Sequence, residues 1–168
     1  MTAEQIIKYF KMQPLPQEGG HFIETYRTAE VLKKEILSGG VSGDRNICSV
    51  ILYLLTAKTV SLMHRLKHDE MFHFYMGDSV TMLQLHPDGS SEVVTLGHDI
   101  LKEQKVQVIV PKGTWQGAFI QPGGKFSLMG CSVAPAFDEA DFELGDREML
   151  LAGYPDVQEL ILHLTQPH

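Results

Sequence analysis

The stretch whose reading decides the fold is His64-Arg65-Leu66-Lys67-His68-Asp69-Glu70-Met71-Phe72-His73-Phe74-Tyr75-Met76-Gly77. It gathers three of the chain's eight histidines with two acids, two bases and a tyrosine. Its second half predicts a strand over residues 70–76, closed by a turn at Gly77-Asp78. Side chains alternate along a strand, so Glu70, Phe72 and Phe74 share one face and Met71, His73 and Tyr75 the other. Residues 65–69 read as a charged loop that breaks register, which leaves His64 outside that alternation.

Working outward, short β-rich runs recur at 80–86, 92–96, 106–110, 115–121 and 126–133. Pro87-Asp88-Gly89, Pro111-Lys112-Gly113 and Pro122-Gly123-Gly124 punctuate them as turns. Upstream, residues 21–28 and 46–56 read as two more strands, the second flanked by Gly39-Gly40, Gly43-Asp44 and Lys58; residues 31–37 read as a helical turn or an irregular insert. Strands every ~8–12 residues with turns between them define a sandwich or barrel, not βαβ units. On the strand from Trp115, Gln116, Ala118 and Ile120 share one side, opposite Trp115, Gly117 and Phe119.

Helices are predicted at the two ends. Thr2 with Gln5 forms a capping pattern ahead of Ile6, Ile7, Tyr9 and Phe10, and Pro14 and Pro16 stop that helix. Asp146 caps residues 147–152, and Pro155 opens residues 157–164. Val157, Leu160, Ile161 and Leu164 then form one apolar stripe for packing on the barrel. No repeat or linker divides the chain, so residues 1–168 are read as one domain, mainly β, an antiparallel double-sheet jelly roll.

Composition narrows the function classes. With 14 basic and 21 acidic side chains the net charge is −7, and Lys33-Lys34 is the only adjacent basic pair. A nucleic-acid binder needs a basic patch, so nucleic acid is not an expected partner. The longest apolar stretch, around residues 48–57, is broken by Ser49 and Thr56, too short for a membrane span. Residues 1–5 lack a basic start and apolar run, and Cys48 and Cys131 read as buried free thiols; a cytoplasmic protein is expected.

Two motifs carry a family resemblance. His64, Glu70 and Gly77 match the first cupin motif, in which a His-x-His pair is followed by a glutamate and then a glycine. Leu66 stands at the second histidine position. Pro111-Lys112-Gly113-Thr114-Trp115-Gln116 resembles the second motif, Pro-x-Gly-x-x-His, with Gln116 at the histidine position. The blocks at residues 17–27, 69–75, 128–137 and 141–143 are similar to one cupin subfamily that resembles the dTDP-sugar (dTDP-4-dehydrorhamnose) epimerases; the likeness runs from Gln17 to Leu160. It departs at Phe72, where those proteins more often have tryptophan, and at His21, where they have tyrosine.

The resemblance implies a double-stranded β-helix, a homodimer and a small-molecule ligand. It implies a divalent metal ion held by His64, Glu70 and Gln116, although an amide is a weak donor and Leu66 is none. For epimerase-like chemistry, His64 is the candidate base, with Glu70 or Asp69 orienting it and Tyr75 or Tyr26 as the acid. Arg65 or Arg27 would hold a phosphate or carboxylate, with Phe72, Phe74, Trp115 and Gln116 lining the pocket. Three functions stand: an epimerase or isomerase of a small polar carbonyl compound such as a nucleotide sugar, a metal-dependent oxygenase or isomerase, and a non-catalytic binding protein. The epimerase or isomerase is favoured. Elsewhere, His68, His86, His98, His163 and His168 read as solvated, His73 as a polar residue between layers, and Asp138, Glu139, Asp141 and Glu143 as a solvated face.

Overall fold

The computed structural model describes residues 1–37 and 40–166. Gly39 of the Gly39-Gly40 signal and His168 therefore lie outside the described residues. Helix α1 (Ala3–Phe10) starts with the capping box expected from its sequence: Gln5 N donates to Thr2 Oγ1 at 3.3 Å, and Thr2 N donates to Gln5 Oε1 at 2.9 Å. It ends at Lys11 in the left-handed conformation, before either proline is reached.

Two antiparallel sheets follow. One has six strands in the order β1 (Gln13–Pro14), β2 (His21–Arg27), β5 (Ser49–Thr56), β12 (Phe126–Ala134), β7 (Asp69–Gly77) and β10 (Gln107–Val110). The other has five: β13 (Phe142–Leu144), β6 (Val60–Leu66), β11 (Trp115–Ile120), β8 (Val80–Leu85) and β9 (Ser91–Leu96). The predicted insert at 31–37 is β3 (Val31–Leu32), paired with β4 (Arg45–Asn46), and a 3₁₀ turn. Non-consecutive neighbours such as β5, β12 and β7 give the jelly-roll connectivity.

Alternation decides which residues meet between the sheets. Tyr53, Leu55, Phe72, Phe74, Met82 and Met129 fill the lumen. On the outer face of the five-stranded sheet, Met63, Leu83, Leu85 and Trp115 are covered by Leu150 of α2 (Arg147–Gly153) and Ile161 of α3 (Gln158–His163), with Leu164 beyond it. Burying each such side chain contributes about 1.5–3 kcal/mol, which is what holds the C-terminal helices down. Asp146 caps α2 by accepting from Met149 N at 2.8 Å, and the 157–164 stripe packs as its period requires. Both cysteines are free. Among the described residues no helix is long and apolar enough to cross a membrane.

The sequence reading needs three corrections. The supposed loop at 65–69 is mostly strand: β6 runs to Leu66 and β7 starts at Asp69, leaving a tight turn at Lys67-His68. His68 is buried rather than solvated, with Nε2 3.4 Å from Asp141 Oδ2, close but not aligned as a hydrogen bond. Asp141 leaves the expected acidic face as well. It accepts from Arg45 Nε at 2.7 Å and from its terminal nitrogen at 3.0 Å, with both residues buried.

This bidentate pair joins β4 to the segment before β13, and either ion alone would keep only a longer ion pair, Arg45 with Asp138 at 3.8 Å or Asp141 with Lys67 at 3.9 Å, in a low dielectric. Asp141→Asn is expected to cost about 3–5 kcal/mol in urea unfolding. An Arg45→Met, Asp141→Leu double variant should recover most of that loss; a single variant within about 0.5 kcal/mol of wild type would show the pair to be inert.

Candidate functional site

The polar centre of the lumen is set by a bulge. Gln116 of β11 lies opposite His64 of β6, and Ala118 lies opposite Ser61, so three steps on β6 oppose two on β11. The extra residue turns both Ser61 and His64 inward, where plain alternation would separate them. The bulge leaves backbone groups without ladder partners, and other parts of the chain supply them. Leu62 N donates to Glu18 O at 2.8 Å, Met63 N donates to Leu164 O at 2.8 Å, and Gly145 N donates to Met63 O at 2.7 Å.

The Leu62 carbonyl faces His64 Nδ1 at 2.7 Å. A carbonyl only accepts, so Nδ1 carries the proton and Nε2 presents its lone pair. That nitrogen stands 3.8 Å from Glu18 Oε2, beyond hydrogen-bond length, while the ring is stacked on Phe142 at 5.2 Å. Glu18 comes from a strap before β2. Its Oε1 accepts from Ser61 Oγ at 2.9 Å, and Tyr53 holds the strap by donating to Gly19 O at 2.9 Å. Gly19 has φ 103, and a Cβ there would lie 2.3 Å from Val60 O, so only glycine lets the strap come this close.

Across the lumen, Glu70 of β7 accepts a short hydrogen bond from the Gln116 amide, which ties the two sheets together. Burial pushes the Glu70 carboxyl from its ordinary 4.5 up to about 7; the Glu18 charge adds to this, while His64 and the Gln116 hydrogen bond oppose it. Burial also pushes the Tyr53 phenol and the Cys131 thiol well above their usual ranges, so both stay protonated. His64, Glu70, Glu18, Leu66 and Cys131 line a cavity of about 70 Å³.

The expected site residues divide cleanly. His64, Glu70 and Gln116 converge in the lumen. Phe72 and Phe74 lie inside too, as packed core. Tyr26 and Tyr75 are corrected: they lie 55% and 46% exposed, and neither lines the cavity. Trp115 lies beneath α2 and α3 on the outer sheet face, with the Arg65 guanidinium 4.3 Å above its ring. Arg65 donates to Glu143 at 2.8 Å, and Arg27 is held by Glu24 at 2.7 Å and by the Phe137 carbonyl, so neither reaches into the lumen. Asp69 accepts from Lys112 N and fixes a turn. Glu18 and Ser61 were missed: Glu18 is far from the motif in sequence and nothing local marks it beyond the turn-forming Gly19-Gly20, and Ser61, three residues before His64, falls on the opposite face by plain alternation.

A metal ion does not fit these residues. Leu66 offers hydrocarbon, Gln116 points its N–H at Glu70, and among the described residues no three His, Cys, Asp or Glu side chains form a metal-holding group. A wider surface depression of about 440 Å³ beside Arg65, Lys67 and Lys112 does not include His64 or Glu70.

Fold and motifs together define a cupin-type jelly roll. The chain belongs to the family described as Cupin superfamily (DUF985), whose profile matches residues 4–145. It is similar to a Shewanella oneidensis protein solved by X-ray crystallography, with 34% identity over 100% of this chain and 99% of that one and a TM-score of 0.88. A hypothetical protein from Leishmania major is 27% identical, covering 99% of this chain and 100% of that one, with a TM-score of 0.89. Oxalate decarboxylase of Bacillus subtilis is 13% identical, covering 95% of this chain and 39% of that one at a TM-score of 0.54; this likeness concerns the fold alone. No curated protein matches the chain. Family membership establishes the cupin fold and does not reach as far as the dTDP-sugar epimerases.

The Glu70 proton has a consequence for stability. The folded state holds it more tightly than the unfolded chain, so the stability it gives is full below 4.5 and is lost as pH rises through about 7. Across that window the loss is on the order of 3 kcal/mol. Glu70→Gln should remove it: compared by urea unfolding at about pH 5 and pH 8, the variant should gain on wild type at the higher pH. An identical pH slope for the two proteins would show that Glu70 titrates normally.

Proposed function

We propose that the protein is an isomerase or epimerase that moves a proton next to the carbonyl of a small compound. The observation that carries this reading is His64, with Nδ1 held by the Leu62 carbonyl and a free Nε2 facing the same cavity as Glu70. His64 Nε2 would take the proton from the carbon beside the carbonyl, with Glu18 stabilising the imidazolium that forms. Protonated Glu70 would give its proton to the carbonyl oxygen, leaving a neutral enol. Reversal at the neighbouring carbon or from the other face yields the isomer and restores both groups.

Glu70 takes the acid's place that Tyr26 and Tyr75 were expected to fill, because a carboxyl with a pKa near 7 can give and regain a proton at neutral pH. A nucleotide-linked substrate loses its support. A diphosphate needs cations, and among the described residues no lysine or arginine lines the cavity. A non-catalytic binding role would leave unexplained why a half-titrating carboxyl and a free imidazole nitrogen are kept in a packed lumen, where each costs stability.

Solvent-deuterium uptake by a panel of small aldoses, ketoses and amino carbonyl compounds tests the reading. Wild type should label at least one compound, and His64→Asn should slow that exchange by about 10²–10⁴-fold. Exchange at the wild-type rate in the variant, or none in wild type across the panel, would refute it.

A further inference from the structure

A recess of about 410 Å³ lies in front of the His64–Glu70 cavity and shares Leu15, Glu18, Phe22 and Phe137 with it. Phe142 also lines it, and the same ring stacks on His64. Three phenylalanines therefore surround the way in. The ionisable lining of the recess is acidic, Glu18 and Glu139, and the inner cavity adds Glu24 and Glu70. Among the described residues, no lysine or arginine lines either space. Arg27 neutralises Glu24 through its ion pair at 2.7 Å, whereas the neighbours of Glu18 are the Ser61 hydroxyl, the Tyr53 phenol and the His64 ring at 3.8 Å, none of them a lysine or arginine.

The charge of an occupant follows from this lining. An anion would be brought against carboxylates with no counter-ion, in a space partly shielded from water. An uncharged molecule would gain only apolar contact. A cation gains from Glu18 and from the negative faces of the aromatic rings. The buried His64, with its Nε2 3.8 Å from Glu18 and its ring lining the adjoining cavity, marks where the other end of such a molecule meets polar chemistry.

We propose that the recess selects a small organic ammonium group, seated among Phe22, Phe137 and Phe142 with Glu18 as its counter-ion. The carbonyl end of the same molecule then reaches His64 and Glu70. Only that last step rests on the acid–base reading; recognition of the ammonium group requires no turnover.

Choline is the probe, compared by isothermal titration with its uncharged carbon isostere and with the carboxylate of the same branched shape. Wild type should bind choline about 10-fold or more tighter than the isostere, and the carboxylate not at all. Phe137→Leu and Glu18→Gln should each weaken choline about 5-fold or more while leaving the isostere unchanged; the glutamine can still accept from Ser61. Equal binding of choline and isostere, preference for the carboxylate, or no binding of any probe would overturn the proposal. Choline binding without deuterium exchange on any substrate would sink the isomerase reading alone. Exchange on uncharged carbonyl compounds without choline binding would sink the ammonium proposal alone.

Discussion

Leu62 and Met63 give β6 one residue more than β11 can match, and much of the site's geometry follows from it. The extra residue brings Ser61 and His64 to the same inner face. It frees a carbonyl that fixes the His64 proton, and it frees an N–H that ties down the Glu18 strap. Met63, turned outward, is buried beneath the C-terminal helices, with its N–H taken by Leu164. One irregularity thus aims His64, positions Glu18 beside it and anchors the end of α3. A regular strand would have placed Ser61 and His64 on opposite faces.

The lumen around this bulge is mostly apolar, with buried Gln84 beside Gln116, so each polar group in it costs stability unless another polar group answers it. Gln116 answers Glu70 across the gap between the sheets, and Ser61 answers Glu18. The answer to Glu70 is incomplete: one amide hydrogen bond and the His64 ring do not offset full burial beside the Glu18 charge. The result is a carboxyl whose proton affinity is raised to about 7. The same feature destabilises the charged fold, which is the observation on which the proposed acid–base role rests.

The fold was legible because it rests on local signals. Period-two alternation placed Glu70, Phe72 and Phe74 inside and Met71, His73 and Tyr75 outside, and the same rule sorted Gln116 from Trp115. Capping residues and Pro-Gly turns marked most of the remaining elements. The strand β6 was missed because its charged end, Arg65 to His68, looks like a solvated loop. In the fold, Arg65 lies over Trp115 and His68 sinks against Asp141. Site composition was only half legible. His64, Glu70 and Gln116 lie in two recognisable motifs, whereas Glu18 reaches the lumen through a strap whose aim depends on the backbone of β6, 43 residues away at Ser61. The tyrosines and arginines were chosen by chemical type, and strand parity and ion pairing place them elsewhere.

The central claim is that the lumen holds a carboxyl able to exchange its proton near neutral pH beside a histidine with a fixed tautomer. The most direct test follows the Glu70 carboxyl carbon by NMR across a pH titration of the intact protein. A midpoint at about 7, moving down when Glu18 becomes glutamine, is the predicted result. A midpoint near the ordinary 4.5, indifferent to Glu18, would contradict the account.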